Sequence, residues 1–128
     1  MLKRIHHIAV IGSNYEKSKW FYCEVLGFSV LAEHYQAHRD SYKIDLILPS
    51  LCQLELFIFK SAPPRPSFPE ALGLRHLAFE VDNLDEEIER ITRLGIESEA
   101  VRIDPYTNKR FCFFADPDGL PIELYETN

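Results

Sequence analysis

His7-Ile8-Ala9-Val10 and His76-Leu77-Ala78-Phe79 are near-copies of one another, and they decide how the rest of the chain is interpreted. Each is followed at almost the same distance by a glutamate between two aliphatic residues, in Leu54-Glu55-Leu56 and in Ile122-Glu123-Leu124. This spacing indicates an internal duplication, with equivalent residues at equivalent places in two similar units. Two imidazoles and two carboxylates suit a divalent ion of borderline to hard character. If the halves pack about a pseudo-twofold axis, these four side chains can converge on one metal ion.

The predicted elements have the order βαβββ in both halves. Asparagine N-caps at Asn14 and Asn83 begin the helices, and Gly27 and Gly95 end them. Alternating or continuous apolar runs predict strands over 5–11, 28–33, 42–48 and 53–59, and again over 74–81, 96–101, 110–115 and 120–126. The four prolines of segment 61–70 predict an extended linker outside the sheets. We therefore predict one domain, with module one over 1–60 and module two over 71–128.

Composition excludes several classes of function. The net charge of −6 without a basic cluster argues against nucleic acid and anionic membranes as partners. No apolar run approaches the roughly 20 residues of a transmembrane helix, and the N-terminus leads straight into a strand with no evident secretion signal. Three widely spaced cysteines favour reduced thiols, and hence a cytoplasmic location. A small-molecule substrate is the expected partner.

The two glutamates pose an energetic problem that a cation would solve. Glu55 shares one face of its predicted strand with Phe57 and Phe59. A carboxylate buried there without a partner would cost several kcal/mol. His6 should point to the opposite strand face from His7, toward the helices, and we expect it to be structural or solvated, like His34 and His38 in a polar loop region.

The chain resembles the vicinal oxygen chelate superfamily, and most closely its small glyoxalase I-like members. The resemblance spans nearly the whole sequence and is carried by the two histidine motifs, by the two glutamate motifs, and by the stretches Leu26-Gly27-Phe28, Arg75-His76-Leu77-Ala78-Phe79-Glu80-Val81-Asp82 and Asp116-Pro117-Asp118-Gly119. It implies an α+β fold in which two βαβββ modules pair by pseudo-twofold symmetry into a curved, mostly antiparallel sheet. It also implies a homodimer, with the site either inside one chain or across two.

The resemblance further implies a site and a reaction. The metal ligands would be His7, Glu55, His76 and Glu123, around one divalent ion for which Ni, Co or Zn is favoured and Mn or Mg is possible. The catalytic residues would be Glu123, as the base, and Glu55, as its partner carboxylate. The activity implied is that of a lyase or isomerase that stabilises an enediolate derived from a small α-hydroxycarbonyl compound or a thiol–aldehyde adduct.

Substrate contacts are less well defined by the sequence. The positions that contact glutathione in bacterial glyoxalase I align with Ile11 and Phe59, which cannot make the polar contacts, so glutathione is not favoured as the thiol. Candidate substrate-binding residues are Arg110, Phe57, Phe59 and Phe113. The alternatives are a protein that binds a small molecule or antibiotic, and a dioxygenase. The fourth ligand, Glu55, argues against a dioxygenase, because it leaves less room for oxygen and a bidentate substrate.

Overall fold

The computed structural model describes residues 1–128, which divide into two compact units, Met1–Pro64 and Arg65–Asn128. Each unit contains one four-stranded mixed sheet and one α-helix, so the predicted α+β class and the βαβββ order are confirmed. The boundary between the units falls inside the proline-rich segment 61–70, which contains no helix or strand. No helix in the chain is both long enough and apolar enough to cross a bilayer.

The first unit is built around a sheet with the strand order β1-β4-β3-β2. The two strands that matter for the site, β1 and β4, are parallel neighbours, and the other two pairs are antiparallel. The elements are β1 (Ile8–Gly12), α1 (Tyr15–Trp20), β2 (Ser29–Gln36), β3 (Ser41–Ile47) and β4 (Gln53–Ile58).

The helix of the first unit is shorter than predicted and changes its winding. Its N-cap is Asn14, whose side-chain oxygen accepts a hydrogen bond from the backbone N–H of Lys17 at 2.9 Å. After α1 the chain continues as a π-helical turn over Phe21–Val25. The first two residues of this turn, Phe21 and Tyr22, are both fully buried in the core.

Period-two alternation sorts the side chains of β4 onto two faces. Leu54, Leu56 and Ile58 are buried on the helix side, and each contributes about 1.5–3 kcal/mol by leaving water. Glu55 and Phe57 lie on the opposite face, which α1 does not cover. Core packing therefore fixes the register of β4, and with it the face on which Glu55 lies.

The second unit repeats this arrangement with the strand order β5-β8-β7-β6. The backbone N–H of Glu86 donates to the side chain of Asn83, the N-cap of its helix, at 3.2 Å. The strands β5 and β8 are parallel, as β1 and β4 are in the first unit. The elements are β5 (Leu77–Val81), α2 (Leu84–Arg93), β6 (Arg102–Ile103), β7 (Arg110–Ala115) and β8 (Pro121–Glu126).

Two boundary predictions need correction. The prediction of a strand over 96–101 is wrong, because the chain joins the sheet only at β6. Within the predicted range, the backbone N–H of Glu99 donates a hydrogen bond to the carbonyl of Phe113 at 2.8 Å. The first strand of each half also begins later than predicted, at Ile8 and at Leu77. His7 and His76 therefore lie immediately before their strands.

Candidate metal centre

The first half-site pairs the histidine before β1 with the glutamate in β4. Because β1 and β4 are parallel neighbours, Ala9 lies directly opposite Glu55, and His7 lies two residues upstream of Ala9. The Nε2 atom of His7 is 3.2 Å from Oε2 of Glu55. The side chain of Glu55 keeps 19% of its surface exposed and that of His7 keeps 39%, so the pair is open to a ligand from one side.

The second half-site has the same construction. Ala78 lies opposite Glu123 across the parallel pair β5 and β8, and His76 is two residues upstream of Ala78. The Nε2 atom of His76 is 3.2 Å from Oε1 of Glu123, the same separation as in the first half. Glu123 is 12% exposed and His76 is 30% exposed. The duplication seen in the sequence is therefore reproduced in the side-chain geometry of both units.

The separation of 3.2 Å suits two donors on one ion. A nitrogen and an oxygen that each lie about 2.1 Å from a metal, at angles between octahedral and tetrahedral, are about 3.0–3.4 Å apart. A charge-assisted hydrogen bond between the same groups would be shorter, about 2.7–2.9 Å. The donor chemistry and the spacing of each pair thus fit a divalent ion. No group of three or more His, Cys, Asp or Glu side chains in the chain is arranged to hold a metal.

Three further side chains extend the first half-site into a polar chain across its sheet. The ammonium of Lys43 lies 3.6 Å from Oε1 of Glu55 and 3.1 Å from Oδ1 of Asp45. The other oxygen of Asp45 is 3.4 Å from Nε2 of His34. The hydrogen bond to Asp45, with the nearby charge of Glu55, raises the pKa of Lys43, so this side chain is a cation at neutral pH.

These neighbours were missed from the sequence, although a pattern for two of them was present. In β3 the alternation of Lys43 and Asp45 with buried Ile44 and Leu46 places both charged residues on the face that bears Glu55. His34, predicted in a loop, lies within β2 directly opposite Lys43. Their assembly next to a metal ligand depends on strand pairing, which the sequence pattern alone does not specify.

The second half-site is lined by aromatic rings and one guanidinium. The ring of His76 packs edge-on against Phe113, with centroids 5.0 Å apart, and Phe111 packs against Phe113 in the same way at 6.0 Å. The guanidinium of Arg102 lies over both phenylalanine rings, at 5.2 and 5.4 Å. Phe113, a predicted substrate contact, is therefore adjacent to a proposed ligand. Arg102 is the arginine on this face, and sequence reasoning missed it.

The remaining predicted substrate residues are Phe57, which shares a face with Glu55, its neighbour Phe59, and Arg110, which lies on the helix side of the second sheet. Phe57 and Phe59 stack with a centroid distance of 5.9 Å, and Arg39 lies over Phe59 at 4.7 Å. Arg110 does not share a face with Glu123, because its guanidinium is on the helix side, 2.7 Å from Asp85. That contact lowers the pKa of the Asp85 carboxyl, and Arg110 also lies 3.7 Å from Glu126. The structure thus places Arg110 in ion pairs with Asp85 and Glu126, on the face opposite Glu123.

The paired half-sites occur in a fold that comparison with known proteins identifies. Residues 4–124 match the model of the Glyoxalase/Bleomycin resistance protein/Dioxygenase superfamily. The chain belongs to this superfamily. Its members include metalloenzymes such as glyoxalases and dioxygenases, beside proteins named for bleomycin resistance. The resemblance found in the sequence is thereby confirmed at the level of family and fold.

Similar proteins come from several bacteria. The chain is 54% identical over 125 residues to the uncharacterized protein YaeR of Escherichia coli (strain K12), covering 98% of this chain and 97% of YaeR. It is 56% identical over 126 residues to the uncharacterized protein YwkD of Bacillus subtilis (strain 168), covering 98% of both. A crystal structure of a glyoxalase family protein from Enterococcus faecalis superposes with a TM-score of 0.92 at 52% identity, covering 97% of this chain and 98% of that one.

Proposed function

We propose that the protein is a metal-dependent lyase or isomerase of the glyoxalase type. Its substrate would be a small α-hydroxycarbonyl compound or a thiol–aldehyde adduct. The observation that carries this proposal is the pair of equivalent His–Glu contacts, each 3.2 Å long, on the open faces of the two sheets. We propose that His7, Glu55, His76 and Glu123 together hold one divalent ion, for which Ni, Co or Zn is favoured and Mn or Mg is possible.

The two glutamates differ in ways that support different roles. A bound divalent ion would supply Lewis-acid polarisation to two adjacent substrate oxygens. Glu55 is engaged at both carboxylate oxygens, by His7 at Oε2 and by Lys43 at Oε1. Glu123 is engaged by His76 at Oε1, so its second oxygen can accept a proton. This difference supports Glu123 as the general base and Glu55 as the fixed partner carboxylate.

The base assignment is tested by substituting Glu123 with glutamine. Because an amide can still contact a metal but is a very poor proton acceptor, Glu123→Gln should retain measurable metal and lose exchange of the substrate C–H proton with D₂O. NMR of the substrate follows that exchange, and elemental analysis follows the metal. Glu97→Gln, on the exposed surface, is the matched control and should exchange normally. Exchange at the wild-type rate in Glu123→Gln would refute the assignment.

The thiol is tested separately from the metal. The positions of the glutathione contacts are occupied by Ile11 and Phe59, neither of which can hydrogen-bond through its side chain. We expect hemithioacetals of a smaller thiol, such as 2-mercaptoethanol or cysteine, to be turned over with a higher kcat/KM than that of glutathione. A preference for the glutathione adduct would contradict this expectation without affecting the metal site.

A second candidate function is supported by the aromatic surfaces. The stacked rings of Phe57 and Phe59, and the cluster of Phe111 with Phe113, offer flat apolar contacts suited to an aromatic molecule. In this case the protein would sequester its ligand without transforming it. Protein that binds no Ni, Co, Zn or Mn, and that quenches the fluorescence of an aromatic ligand stoichiometrically, would favour this second function over the first.

We also propose, as the family resemblance implies, that the active species is a homodimer, in which the His7–Glu55 pair of one chain and the His76–Glu123 pair of the other could share one ion. One double variant, His7→Ala with Glu55→Gln, lacks the first pair. A second, His76→Ala with Glu123→Gln, lacks the second pair. If two chains share each site, mixing the variants under exchanging conditions should regenerate one intact site per mixed dimer, seen as regained metal and activity. No recovery in confirmed mixed dimers would contradict a shared site.

A further inference from the structure

His6, the residue before the first proposed ligand, makes a side-chain contact with that ligand, His7. Nδ1 of His6 lies 2.9 Å from Nδ1 of His7, and the two rings are nearly perpendicular. The sequence predicted that His6 would point away from His7, toward the helices. Because β1 begins only at Ile8, strand alternation does not apply to these two residues. Both residues are exposed, and their side chains contact each other.

The chemistry of a metal-binding imidazole gives this contact a role. A neutral imidazole carries one hydrogen, on either Nδ1 or Nε2. The Nε2 atom of His7 is the one that faces Glu55, so it must be bare if it binds the ion. The hydrogen is then on Nδ1 and needs an acceptor, and the group within hydrogen-bond distance is Nδ1 of His6. Metal-binding histidines usually donate their second N–H in this way, and loss of such a partner costs about 10–100-fold in metal affinity.

The geometry points to His6 as a positioning residue for His7: it accepts a hydrogen bond from Nδ1–H and holds Nε2 of His7 toward Glu55. This inference rests on the proposed function, since it assigns His6 a part in the metal site. The contact fixes both the orientation of the His7 ring and the nitrogen that carries its hydrogen.

The second half provides an internal comparison. The residue before His76 is Arg75, whose guanidinium is 2.8 Å from Glu70. The ring of His76 packs instead against the edge of Phe113. The hydrogen-bonding role of His6 therefore belongs to the first half-site alone, and Arg75 supplies a matched control.

The hydrogen bond is tested first in the metal-free protein. With ¹⁵N-labelled histidine at pH 8, we expect a scalar coupling between the two Nδ1 nuclei through the hydrogen bond. The zinc-loaded protein should show the hydrogen on Nδ1 of His7. A missing coupling in the metal-free protein, or a hydrogen on Nε2 of zinc-loaded His7, would overturn the inference.

Zinc affinity, measured by competition with a chelator, tests the consequence. His6→Leu removes the acceptor and should weaken affinity about 10–100-fold. His6→Asn should bind zinc with near wild-type affinity, because Oδ1 of the new side chain, like Nδ1 of histidine, is bonded to Cγ and can accept the hydrogen bond. Arg75→Leu should leave affinity unchanged. Equal affinities of His6→Leu and wild type would overturn the role of His6. If the coupling is present and the wild type binds no zinc, the proposed metal site fails, and the role fails with it.

Discussion

Replacement of Glu55 by glutamine gives the most direct test of the shared metal site. Glu55 lies 3.2 Å from His7, the separation of two donors on one ion, so its carboxylate should contribute directly to metal affinity. We take the loss as about 100-fold, the upper end of the range for outer-shell partners. At free zinc about 100 times the wild-type Kd, binding stabilises the wild type by about 2.7 kcal/mol but the variant by only about 0.4 kcal/mol.

The assay is the rise in Tm on adding zinc, with each protein compared with its own metal-free form. For a chain of this length about 3–5 °C corresponds to 1 kcal/mol, so the wild type should gain about 8–13 °C and Glu55→Gln about 1–2 °C. Glu123→Gln should lose as much of the zinc-induced rise in Tm, because its pair has the same separation, although it should still take up measurable metal when zinc is in excess. The exposed control Glu97→Gln should keep the full gain. A full gain in either ligand variant would refute the idea of one ion shared by the two pairs.

Three further predictions concern features outside the two His–Glu pairs. The hydroxyl of Ser18 is buried without a hydrogen-bond partner, so Ser18→Ala should not destabilise the protein. Gly12→Ala should destabilise it by about 1–3 kcal/mol, because the added Cβ would meet Ser18 Oγ at 2.6 Å. Combining Ser18→Ala with Gly12→Ala should recover part of that loss, as measured by urea unfolding. The hydrogen bond from Tyr15 lowers the pKa of Glu33. The ionised carboxylate therefore stabilises the fold above the unfolded pKa of about 4.3, and this stabilisation is lost as pH falls through the folded pKa. Glu33→Gln should accordingly lower Tm at pH 7 but not at pH 2.5. Arg110→Met should leave KM and metal affinity unchanged, because the guanidinium lies on the helix side of its sheet.

The half-site lining illustrates how faces can be read from a sequence while contacts cannot. The alternation predicted over 53–59 put Glu55 and Phe57 on one face and the aliphatic residues between them on the other. The structure agrees, because burying those aliphatic side chains fixes the register. For Arg110 the distance along the chain from Glu123 does not reveal which partner its side chain contacts. Its partner, Asp85, comes from a helix.

The sequence by itself determined the family and the βαβββ order and singled out four candidate donor residues, because duplication and hydrophobic periodicity are properties of the chain alone. Tertiary structure decided the rest: the equal His–Glu separations, the addition of Lys43 to the first pair, and the turn of His6 toward His7. These depend on which strands become neighbours and on where a strand begins. Both are settled by long-range pairing and packing, which sequence spacing does not encode.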